Sequence, residues 1–149
     1  MGNRAVITTR EKKIGVYLHW NGGRDSVEAF LAYCILADIR PPERDCYGWA
    51  RLCQIIANFF GPDGLSVGID LYERLDTANG DNGVYVIERW KIVERLYHDY
   101  PEQDTYSLCE LLLAIDAAQP SDQQLGEELI YQYLDSSACR KSASPSFST

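Results

Sequence analysis

The residues with the most chemistry in one place are His19-Trp20-Asn21-Gly22-Gly23-Arg24-Asp25-Ser26. Two adjacent glycines let a backbone take positive φ and approach a ligand closely. Helical periodicity starts directly after them. The segment would therefore present a helix N-terminus, with free N–H groups and the positive end of the helix dipole. Arg24 adds a guanidinium that can hold a phosphate or carboxylate bidentately. Tyr17 and Trp20 offer flat faces for a base or sugar, with His19 between them in sequence. The chemistry fits an anionic, nucleotide-like ligand. Asp25 works against it, because as an N-cap it would already occupy the anion position. The bland alternative is a tight strand-to-helix turn with Arg24 as a surface charge. The spacing is neither GxxxxGK[ST] nor GxGxxG, so no P-loop or dinucleotide fingerprint is present.

A second group is Asp45-Cys46-Tyr47-Gly48-Trp49-Ala50-Arg51. Tyr47 and Arg51 at a helix start could line the same pocket as Arg24. The competing reading makes Trp49 core and Arg51 a solvated helix charge. Gly48 costs a helix interior about 1 kcal/mol relative to Ala, so it implies close packing of Trp20 or close approach of a ligand. A third group, Asp70, Glu73, Asp76, Asn79, Asp81 and Asn82, is rich in oxygen ligands. Taking Asp76 as position 1 of an EF-hand places Ile87 where a bidentate Glu is required, and the Asn-Gly pairs are ordinary turn chemistry. No metal and no cofactor is expected. Catalytic signatures such as GxSxG and HExxH are missing. Asp99 could orient His98, but no nucleophile accompanies them, and a surface histidine is the simpler reading.

The elements that must position these groups form one domain. The 149 residues are 46% hydrophobic, 11% aromatic and 24% charged, a globular composition without a membrane-length apolar run or a secretory leader. Net charge is −8, and the only basic clusters are Arg10–Lys13 and Arg140-Lys141. Direct nucleic-acid binding is disfavoured, and an acidic face suited to a basic partner is allowed. The five cysteines are odd in number and contain no CxxC pair, which reads as reduced, mostly buried thiols in a cytoplasmic protein.

Residues 5–9 and 14–20 are β-rich and read as a hairpin, with Val16, Leu18 and Trp20 on one side and Tyr17 and His19 on the other. Asp25 and Glu28 match a capping box before the helical stripe Val27, Phe30, Leu31, Cys34 and Ile35. Asp45 is an expected N-cap for a second helix carrying Trp49, Leu52, Cys53, Ile56 and Phe60. Alternating residues 65–71 and the run 84–87 read as a second hairpin. Helices are expected over 107–118 and from Ser121, where Ser121 and Gln124 suggest another capping box over Leu125, Leu129, Ile130 and Tyr133. The sum is an α+β domain over 1–135, an antiparallel sheet of about four strands with helices on one face. A parallel βαβ arrangement is the alternative. Residues 136–149 are Ser-rich and read as a disordered tail. Ten Tyr and three Trp favour a homo-oligomer.

The runs Gly2–Ile7, Gly15–Glu28 and Tyr47–Arg51 resemble small accessory proteins of bacteriophages and prophages, a group of unassigned function. The similarity covers about residues 2–97. The resemblance implies a counter-defence protein in the cytoplasm of an infected bacterial cell. It transfers no catalytic residue. Three functions follow as expectations. The first is a non-catalytic module sequestering a small phosphorylated or nucleotide-like ligand through Tyr17, His19, Trp20, Asn21, Gly22, Gly23, Arg24, Tyr47 and Arg51. The second is an acidic, anti-CRISPR-like inhibitor of a host defence complex. The third is an enzyme of unidentified class.

Overall fold

The computed structural model describes residues 2–62, 66–99 and 101–142, with side chains through 136. Strand β1 (Ala5–Thr9) and strand β2 (Ile14–Leu18) form the expected hairpin, in register from Ala5 opposite Leu18 to Thr8 opposite Gly15. Helices α1 (Arg24–Leu36) and α2 (Tyr47–Phe60) follow, then strand β3 (Val67–Leu71). Strands β4 (Val84–Glu88) and β5 (Lys91–Leu96) form the next hairpin, and helices α3 (Leu108–Ala117) and α4 (Glu127–Ser142) complete the chain.

The α+β class stands, with two differences in the sheet. It has five strands in the order β3-β2-β1-β4-β5, and the central pair β1–β4 runs parallel. Residues 65–71 and 84–87 are not hairpin partners: β3 pairs with β2, and β4 turns back into β5. The cause is the polar segment between them. Asn79 Oδ1 accepts from the Asp81 and Gly83 amides, and its amide group donates to the carbonyls of Asp76 and Gly83. Asn82 donates to the Asn3 side chain and the Arg4 carbonyl. The Val6 amide then donates to Gly83 O at 2.9 Å. These bonds seat the start of β4 beside the start of β1, with both strands running the same way.

Alternation sorts the side chains. Ala5, Ile7, Val16, Leu18, Tyr85 and Ile87 meet the helices in the main core. Val6, Val84 and Val86 face the other way and are covered by Tyr17, Tyr72, Leu75 and Leu96. The capping box expected at Ser121 is replaced by one at Ser107, whose Oγ accepts the Glu110 amide at 3.0 Å while donating to its carboxylate. Residues 121–123 make a single 3-10 turn, and α4 starts later because the Asp116 carboxylate accepts the Leu125 and Gly126 amides. Within α4, Ile130 is buried and Leu129 is exposed. The segment 136–149 divides: α4 runs through Ser142, and 143–149 lie outside the described residues.

Candidate functional site

The 19–24 segment crosses the end of the sheet where β2 stops and α1 begins. Neither glycine there has positive φ; that conformation belongs to Asn21, at φ 57°. Their role is size. A Cβ on Gly22 would lie 2.3 Å from Asn3 O, and one on Gly23 would collide with the Gln103 side chain. The Gly22 amide donates to Asn3 O at 2.9 Å, and the Tyr85 hydroxyl donates to Gly22 O at 2.6 Å. The close approach is to the protein's own chain, at Asn3 before β1 and at Gln103 after β5.

Asp25 is not the cap of α1. Gly23 holds that position without a side-chain bond. The Asp25 carboxylate accepts the Thr105 and Tyr106 amides at 3.0 and 3.1 Å, tying the 101–107 connection to α1. Glu28 reaches Arg24 instead of the helix start: Arg24 Nε donates to Glu28 at 2.6 Å and Nη1 to Glu102 at 2.7 Å. Glu102 also takes the Arg95 guanidinium, which lies 3.7 Å from the Tyr85 ring centroid and donates to the carbonyls of Val84 and Asn82. Burial opposes ionisation of Glu102, but hydrogen bonds from Arg95 and Arg24 outweigh it and hold its carboxyl below the usual glutamate range.

The resulting hollow, about 450 Å³, is lined by Arg24, Asp25, Glu28, Glu102, Asp104 and Tyr106, with Gln103 and Leu108. Four carboxylates surround one arginine that two of them already bind. The site is net negative and can attract a cationic group. An anion entering here would have to displace Glu28 or Glu102 from Arg24. Trp20, Tyr97 and Tyr106 are about half exposed at this same end of the sheet. His19 packs edge-on to Trp20, and its Nδ1 is hydrogen-bonded to the Tyr17 hydroxyl at 3.0 Å, on the face away from the helices.

Tyr47 and Arg51 do not join Arg24. They lie with Asp38, Ile39 and Arg40 beyond the C-terminus of α1, whose 13 residues span about 20 Å. There they line a separate groove of about 460 Å³, in which the Arg40 guanidinium sits 5.3 Å from the Tyr47 ring centroid and pairs with Asp45. Arg51 donates to Gln54, and among the described residues it forms no ion pair. Gly48 accommodates neither Trp20 nor a ligand: a Cβ would lie 2.7 Å from Arg40 O and Pro42 N.

Among the described residues no group of three or more His, Cys, Asp or Glu could hold a metal, and Asp81 is paired with Arg4 at 2.8 Å. Cys34 is buried, as expected of the thiols, whereas Cys46 is exposed and Cys53 and Cys109 are half-buried. No described helix is long and apolar enough to cross a membrane.

The sequence reading missed Glu102, Arg95, Tyr97, Asp104 and Tyr106. The signal for all of these but Arg95, which lies in β5, was the mixture of aromatic and acidic residues over 97–106, which has no helical or strand period. Comparison with known proteins finds no matching family model, no matching curated protein and no matching solved structure.

Proposed function

We propose that this chain is a non-catalytic interaction module that docks the acidic, aromatic-rimmed end of its sheet onto a basic surface of a partner protein. The observation that carries this reading is the mutual neutralisation of Arg24 and Arg95 with Glu28 and Glu102, which leaves Asp25 and Asp104 as the surplus charge of the hollow. Trp20, Tyr97 and Tyr106 supply the large, rigid apolar contacts that interface centres favour. In the phage setting suggested by the resemblance, the partner would be a host defence complex whose basic groove normally holds nucleic acid.

The test is capture of partners from bacterial lysate on immobilised protein, wild type against Asp104→Lys and Tyr106→Ala. Binding should weaken steeply with salt, as attraction between exposed charges does. It should fall in both variants. Retention unchanged by salt and by both substitutions would overturn the reading.

One observation favours a second reading, sequestration of a small phosphorylated ligand. Arg51 and Tyr47 line a groove in which, among the described residues, Arg51 has no carboxylate partner. Heat denaturation of purified protein, followed by mass spectrometry of the supernatant, separates the two. A stoichiometric nucleotide released by wild type and lost in Arg51→Ala would establish the small-ligand reading.

A further inference from the structure

The two outer strands of the sheet are treated differently. On β5 the open edge carries Lys91 and Glu94, and a register shift opposite Val86/Ile87 leaves Val93 unpaired, which are the devices that keep a sheet edge from pairing. On β3 the sequence Val-Gly-Ile-Asp-Leu has no Pro, no Lys and no bulge, and its four last residues are exposed.

The direction of its backbone groups follows from two bonds. The Tyr72 amide donates to Lys13 O, and Ser66 O accepts from the His19 amide, so the even-numbered residues of β3 face β2. Val67, Ile69 and Leu71 therefore present their N–H and C=O groups outward. The Leu71 amide is bonded to Asp70 Oδ1 at 2.7 Å, and it must exchange that acceptor for a carbonyl before the edge can pair at Leu71. Ile69 is 52% exposed, and its side chain points to the helix side of the sheet, opposite Val16 in the register.

We propose that β3 is a dimer edge: two copies of this chain pair antiparallel along Val67–Leu71 about a two-fold axis at Ile69, extending one sheet across both copies. In that register Ile69 faces its own copy and Leu71 faces Val67, so the helix side gains a continuous apolar ladder. On the other side Asp70 falls opposite Gly68, which has no side chain to desolvate it. A two-fold shifted by one residue would set Asp70 against Asp70 and is disfavoured by charge. The strand is thus complementary to itself, as an isologous interface requires. Five residues of edge pairing make a contact smaller than the ~1,600 Å² of a standard interface, so the dimer is expected to be weak and concentration-dependent.

Sedimentation velocity of the full chain, from low to high micromolar concentration, tests this. Wild type should shift from monomer to dimer. Ile69→Lys should weaken the dimer roughly tenfold or more with unchanged circular dichroism, because the side chain is exposed. Ile69→Pro removes an outward N–H that has no partner among the described residues, and should do the same. If the proline variant fails to fold, the lysine variant decides. A wild type that stays monomeric throughout, or a dimer indifferent to Ile69→Lys, overturns the proposal.

Discussion

Arg24 Nη1 and Glu102 Oε2 lie 2.7 Å apart although 78 positions separate them in sequence. That contact turns the feature of the chain best suited to bind an anion into part of an acidic hollow. It also links α1 to β5, because the other Glu102 oxygen holds Arg95, whose side chain is only 9% exposed.

Glu102→Gln should therefore destabilise the fold, by about 1–2 kcal/mol given partial exposure of the carboxylate. The effect should depend on pH. The folded carboxyl titrates below its unfolded value, so its contribution is fully present above the unfolded glutamate pKa of about 4.3 and is lost as pH falls through the folded value. Urea unfolding of both proteins across pH should show the gap closing in acid. A gap that is constant with pH would mean that the ion pairs are not its source.

The β4–β5 turn carries Arg89 and Trp90 at φ 51° and 67°, where glycine and asparagine are usual. Trp90 is held there by burial at 4% exposure and by its indole N–H donating to Ile39 O at 2.8 Å. Arg89 is exposed. Arg89→Asn should stabilise the protein by about 0.5–1 kcal/mol, and Trp90→Ala should cost about 3–5 kcal/mol. Thermal melts of the two variants should move in opposite directions.

Tyr33 and Asp116 form a buried pair in which the hydroxyl donates to the carboxylate at 2.5 Å. Burial first, and then this bond, push the phenol far above its ordinary range, so the hydroxyl stays a donor at every pH the protein tolerates. Tyr33→Phe should cost about 1–3 kcal/mol. Asp116→Ala should cost more, because the Leu125 and Gly126 amides lose their acceptor too. Equal losses from denaturant curves would show that the cap on the α3–α4 connection contributes nothing.

Thiol labelling should follow exposure. Cys46 is exposed, whereas burial pushes the Cys53 thiol up to about 11 and raises that of Cys34 further still. Mass-resolved alkylation of the native protein should modify Cys46 before Cys53, and Cys34 only on unfolding. Early labelling of Cys34 would show that α1 opens locally.

The residues alone determined the α+β class, the first hairpin, the stripes of α1 and α2 and the acidic balance. Each of these is written in local period, in turn residues or in composition. Only the tertiary structure decided which strands are neighbours. Asn79 and Asn82 read as turn formers in either case, and their bonds to Gly83 and to residues 3 and 4 make β4 the parallel partner of β1. It also decided the character of the site. A guanidinium beside a helix N-terminus invites an anion until a carboxylate from a distant, aperiodic loop reaches it. No pattern within 19–28 announces Glu102, because electrostatics depends on distance in space rather than along the chain.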